Sequence, residues 1–145
     1  MSDPIDLTRL VRFFETIERH SLRAELARVY APDASFKDPF NEVQGIEPIA
    51  AIFEHMFEQV NNPVFIVTTS VMQGSQAFLT WAFRFTMKRF SKEEQCVKGA
   101  THIVFGQDGK VCVHRDYWDA AEELYEKLPV LGSLMRWLKR ASRRV

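Results

Sequence analysis

The stretch Ala100-Thr101-His102-Ile103-Val104-Phe105-Gly106-Gln107-Asp108-Gly109-Lys110-Val111-Cys112-Val113-His114-Arg115-Asp116-Tyr117-Trp118 reads as two strands joined by a tight turn. Both flanks are rich in β-branched and aromatic residues, and the segment between them carries turn chemistry. A three-residue turn over Gln107, Asp108 and Gly109, with Gly109 left-handed, is a common hairpin connection. That register pairs Gly106 with Lys110, and then Val104 with Cys112, His102 with His114, Ala100 with Asp116 and Lys98 with Trp118. Strand residues of like parity share a face. The register therefore predicts a cluster of His102, His114, Asp116 and Trp118, with Asp116 diagonal to His102. The opposite face would carry Val97, Thr101, Ile103, Phe105, Val111, Val113 and Tyr117. Alternation alone leaves open which face is inside. The polar face is either the wet side of a half-buried sheet or the lining of a pocket under helices. In the second case the apolar face packs against another subunit, and Trp118 and Cys112 on the polar face favour this arrangement.

Working outward, Val64–Met72, Ala77–Lys88, Gln95–Phe105 and Lys110–Trp118 form a meander of four strands. Gly74-Ser75, Ser91-Lys92-Glu93 and Gln107-Asp108-Gly109 supply its three turns. Before the meander the period is helical. Leu7, Leu10, Val11, Phe14 and Ile17 make one apolar stripe behind an Asp3-Pro4 start. A second helix buries Leu22, Leu26, Val29 and Tyr30, and Ala31-Pro32-Asp33 stops it, because a residue before proline avoids the helical region. Residues 34–45 read as a small hairpin or irregular strand pair. A third helix buries Ile49, Ile52, Phe53, Met56, Phe57 and Val60, and Asn61-Asn62-Pro63 ends it. After the meander, Asp119 caps a helix to Leu128, and Ser133 starts an amphipathic helix with a basic outer face.

The expected fold is α+β: a curved antiparallel sheet, a cone-like half-barrel, closed by N-terminal helices, with a C-terminal helical extension. Residues 1–128 would form the domain, and residues 129–145 a basic helix packed on it. Twelve Phe and three Trp in 145 residues suffice for a core without metal or disulfide staples. Cys96 and Cys112 make no disulfide framework. The formal net charge is zero, so no overall field draws the chain to nucleic acid. Five basic residues and no acidic ones follow Pro129, which leaves −5 on the first 128 residues. Met1–Asp6 has neither a basic nor an apolar leader region, and no apolar run approaches the roughly 20 residues of a membrane span. A cytoplasmic protein is expected, with neither nucleic acid nor membrane as partner.

Several motifs together carry a resemblance: Tyr30-Ala31-Pro32-Asp33-Ala34-Ser35-Phe36, Asp38-Pro39, Gly45 opening the third helix, and His114-Arg115-Asp116-Tyr117-Trp118. With them the chain resembles the nuclear transport factor 2-like superfamily over roughly residues 5–125. Within it, the likeness is to ketosteroid isomerases and SnoaL-like polyketide cyclases. The resemblance implies a homodimer and an apolar pocket. Asp38 matches the general base of the isomerases, which takes a proton from carbon next to a carbonyl. Phe14 stands where they carry an oxyanion tyrosine, and His102 matches their second oxyanion donor. His102 and Asp116 resemble the acid/base pair of the cyclases. Limonene-epoxide hydrolases need an Asp-Arg-Asp set, and Arg84-Phe85-Thr86 lacks the carboxylate.

The candidate catalytic residues are therefore Asp38, His102 and Asp116, with Phe14, Phe36, Phe40, His114 and Trp118 binding substrate. The expected ligand is a small apolar carbonyl compound. The expected chemistry is cofactor-free proton transfer, giving isomerisation or aldol-type cyclisation. Asp38 could equally be a turn aspartate before proline, and His102 a hydrogen-bonded histidine within the sheet. No His-x-x-x-His spacing is present, so no metal is expected. No glycine-rich nucleotide loop is present either. The alternative is a non-catalytic ligand-binding or dimerisation module of the same fold.

Overall fold

A computed structural model describes residues 7–89 and 92–119. Helices α1 (Leu7–Glu15) and α2 (Leu22–Val29) lead into strands β1 (Tyr30–Lys37) and β2 (Glu42–Gln44), then helix α3 (Ile46–Gln59). Four longer strands follow: β3 (Val60–Gln73), β4 (Gln76–Met87), β5 (Glu94–Phe105) and β6 (Val111–Tyr117). Gly45, at φ 101°, makes the turn into α3 and donates its N–H to the Ala34 carbonyl at 2.8 Å. A residue with a Cβ rarely adopts that backbone conformation. Asn62, at φ 50°, lies within an irregularity in the β3–β4 pairing between Asn61 and Val64. Among the described residues no helix is long and apolar enough to cross a membrane.

The six strands lie in the order β2-β1-β6-β5-β4-β3. The sheet is mixed, which corrects the expected antiparallel one: β1 runs parallel to β6, with Ser35 opposite Val113 and Phe36 opposite His114. Residues 34–45 are thus part of the main sheet and cover what would otherwise be an exposed edge of β6. Tyr30 opens β1 instead of closing the second helix.

Leu10, Phe13 and Phe14 of α1, Leu22 and Leu26 of α2, and Ile49 and Ala50 of α3 are buried, packed with inner-face residues such as Leu79, Ile103 and Phe105. Each large apolar side chain so buried stabilises the fold by about 1.5–3 kcal/mol. The last hairpin begins as expected: Gly106 N–H donates to the Lys110 carbonyl at 2.8 Å, and Gly109 has φ 78°. Phe105 then pairs with Val111, but a bulge at Cys112 follows, so Val104 pairs with Val113, Ile103 with His114 and Thr101 with Asp116. A bulge sets two residues of one strand against one of its neighbour, so every pair beyond it departs from the expected register.

Two expectations are corrected by that bulge. His102 does not share a face with His114 and Asp116; it pairs with Arg115 on the outer face. Val97, Thr101, Ile103, Phe105 and Val111, expected outside, are buried. The outer face instead carries Val64, Val71, Phe78 and Tyr117, each exposed by about half. The expected helices after Asp119, and with them residues 129–145, lie outside the described residues.

Candidate functional site

α1, α3 and the inner face of the sheet enclose a cavity of about 750 Å³, inside the roughly 300–1,000 Å³ usual for small-molecule sites. The helices contribute Phe14, Ile52, Phe53 and Met56, and the strands Phe65, Trp81, Phe83 and Phe85. These residues are apolar because each sits at an inward position of a helix or strand. Phe14, Phe36, Phe40, His114, Trp118, Asp38 and Asp116 all line it.

At one end of the cavity a chain of hydrogen bonds crosses four strands. Trp81 Nε1–H donates to Thr101 Oγ1 at 2.8 Å. Thr101 Oγ1 in turn donates to Asp116 Oδ1 at 2.5 Å. His114 Nε2 lies 2.7 Å from the same Oδ1. Its other nitrogen, Nδ1, lies 2.6 Å from Tyr30 Oη. The direction of the chain follows from what each group can do. An indole N–H only donates and a carboxylate only accepts, so the Thr101 proton points to Asp116. Tyr30 is wholly buried; desolvation first, and the nearby Asp116 charge second, hold its phenol well above the usual range. The phenol therefore donates to Nδ1, which assigns the proton of His114 to Nε2, aimed at Asp116. The ring is wedged between Phe36 at 4.6 Å and Phe14 at 5.5 Å, centroid to centroid.

Two donors thus fix Oδ1 of Asp116. The other oxygen, Oδ2, has no hydrogen-bond partner among the described residues, and no buried side-chain oxygen or nitrogen is left unpartnered. Oδ2 is therefore accessible, on a residue that lines an apolar cavity.

Asp38 sits in the loop between β1 and β2. Its Oδ1 accepts from the backbone N–H groups of Phe40 at 2.8 Å and Asn41 at 2.7 Å, and from Asn41 Nδ2 at 3.1 Å. The side chain closes its own turn, as Asp commonly does. His102 lies on the far side of the sheet, stacked on Phe78 at 4.6 Å and 2.8 Å from Gln76 Oε1. The structure therefore brings Asp116, His114 and Trp118 together and leaves His102 apart. Thr101, Trp81 and Tyr30, absent from the candidate set, complete the network. Inward parity on β4 and β5 was the available signal for Trp81 and Thr101 once the β6 bulge is known. Among the described residues no three His, Cys, Asp or Glu side chains are grouped to hold a metal ion.

Comparison with known proteins supports this architecture. The SnoaL-like domain family matches residues 10–114. A comparison with curated protein sequences gave no match. Among solved structures, an NTF2-like protein of unknown function from Burkholderia pseudomallei superposes with a TM-score of 0.72 at 16% identity, covering 87% of this chain and 98% of that one. A protein of ketosteroid isomerase-like fold from Catenulispora acidiphila, in complex with trimethylamine, gives 0.69 at 15% identity over 86% and 92%. A candidate SnoaL-like polyketide cyclase from Jannaschia sp. gives 0.69 at 18% identity over 84% and 92%. At these identities the likeness is one of fold.

Proposed function

The chain belongs to the SnoaL-like domain family, and on that premise we propose that it binds a small apolar carbonyl compound and moves a proton on the carbon next to the carbonyl. The observation that carries this reading is the state of Asp116: one oxygen held by His114 and Thr101, the other unspent in an aromatic cavity. A carboxylate so oriented needs no rearrangement to receive a proton. Oδ2 takes the proton, the C–H electron pair passes into the enolate, and the carbonyl oxygen gains the negative charge. Return of the proton to a different carbon completes an isomerisation. Attack of the enolate carbon on a second carbonyl of the same ligand closes a ring instead, and the alkoxide left when that C=O π bond opens takes the proton back from Oδ2. Neither course needs a cofactor.

We assign the base to Asp116 and not to Asp38, because both oxygens of Asp38 are engaged by its own turn, Oδ1 by three donors and Oδ2 by Asn41 Nδ2 at 3.3 Å. His114 serves as the partner that orients Asp116; His102 is too far round the sheet to do so. A second reading has its own support. With His102 on the outer face, the expected acid partner of Asp116 is missing from the cavity, which suits a non-catalytic binding module.

The two readings separate on hydrogen–deuterium exchange at carbon 1 of 2-tetralone in D2O, followed by NMR. The expected result is exchange well above the buffer rate, reduced about 100-fold or more in Asp116→Asn. Exchange at the buffer rate while the ketone is bound would leave the binding module. We also propose that the outer face around Phe78 and Val71 receives a second copy of the chain.

A further inference from the structure

Asp116 Oδ2 offers the cavity an acceptor, and Trp118, just past the end of β6, carries a donor. Trp118 lines the cavity, and its ring meets Phe40 edge-on at 5.6 Å between centroids. Among the described residues no hydrogen bond engages its indole N–H and no buried side-chain nitrogen is unpartnered, so that N–H is accessible. Trp118 is two residues beyond Asp116 and on the same face: a Cβ built on inward-facing Gly99 would lie 3.0 Å from the Trp118 Cβ. The other donors of the network are committed. Trp81 N–H goes to Thr101, Thr101 O–H and His114 Nε2–H go to Asp116, and Tyr30 O–H goes to His114.

We propose that the indole N–H of Trp118 donates to the ligand's carbonyl oxygen while Asp116 Oδ2 faces the adjacent C–H. This rests on reading the cavity as a carbonyl site and adds the donor which that reading lacks. Phe14 cannot donate and His102 is on the outer face, so the oxygen that gains charge needs a partner from elsewhere. The pairing selects a ligand by the spacing of an acceptor and an acidic proton on neighbouring atoms. An apolar ketone bearing an α-hydrogen has that spacing; the corresponding hydrocarbon or a carboxylate does not. In the reaction the N–H keeps its proton and strengthens its hydrogen bond as the carbonyl becomes an enolate, the kind of interaction that accelerates rather than merely binds.

The test compares 2-tetralone with its hydrocarbon, tetralin, on the full chain by ligand-observed NMR titration. The native protein is expected to prefer the ketone, and Trp118→Phe to lose about 5-fold of that preference. Replacement of Trp118 by 3-benzothienylalanine, which keeps the bicycle and removes only the N–H, should lose as much; this covers a Phe variant that packs poorly. Carbon-1 exchange should fall about 100-fold in both Trp118 variants. If exchange is absent throughout but the ketone preference still follows the N–H, the proton-transfer reading fails and the Trp118 assignment stands. An unchanged ketone-to-hydrocarbon ratio in the benzothienyl variant, or no ketone binding to the native chain, overturns it.

Discussion

Tyr30 shows how much one hydroxyl can fix. It is fully buried, and among the described residues its hydroxyl has one hydrogen-bonding partner, Nδ1 of His114. Tyr30→Phe should leave that nitrogen unsatisfied and cost about 1–3 kcal/mol at neutral pH. The sign of the pH effect follows from the direction of the shift. The folded phenol is held above its ordinary value of 10.0. Below that pH the phenol is protonated in both states and contributes no slope. Above it the unfolded chain loses the proton and the folded chain does not, so stability falls as pH rises. The gap between the native chain and Tyr30→Phe should therefore narrow above about pH 10. Urea melts across the alkaline range measure it, and a gap that stays constant there would show that Tyr30 is not sequestered. At this scale Asp116, His114 and Trp118 were legible because they alternate on one strand. Thr101 and Tyr30 were not: their partners lie 15 and 84 positions away, beyond the reach of local pattern.

Among the elements, β5 and β6 decide what the cavity contains. The turn at Gln107-Asp108-Gly109 was readable from its residues, and the first pair beyond it, Phe105 with Val111, has the register the turn implies. The bulge at Cys112 was not readable, since neither Cys nor its Val neighbours carry a bulge signature. One unpaired residue then sufficed to part His102 from His114. The parallel docking of β1 was equally hidden, because parallel partners are not joined by a short turn. Gly99 has a more local reason to lack a side chain. It pairs with Trp81 across β4 and β5, and an added Cβ would lie 2.5 and 2.6 Å from two atoms of that ring. Gly99→Ala should push the indole aside and destabilise the fold by about 1–3 kcal/mol. A urea midpoint equal to that of the native chain would mean that Trp81 is not pinned as described.

At the scale of the whole sheet, and among the described residues, one face is closed by helices and the other is open. Val64, Val71, Phe78 and Tyr117 are each exposed by about half on the open side, and exposed large apolar side chains gathered on one face often mark an interface. The sequence anticipated an apolar outer face and misplaced most of its members, five of seven, again through Cys112. A second copy seated there should be displaced by Phe78→Glu, which buries a charge in the contact. Sedimentation velocity is expected to give a dimer for the native chain and a monomer for the variant; a native monomer at tens of micromolar would remove the assignment. The parallel pairing of β1 with β6 has another consequence, for how the chain is made. Synthesis delivers Tyr30 to the tunnel exit 84 residues ahead of the histidine it bonds. At about 5–20 residues per second, several seconds pass between them. Until β6 arrives, β1 and β2 have no neighbour in the main sheet, and the carboxylate has no cavity to face. Closure of the site therefore waits for β6, and contacts so distant in the chain make it slow.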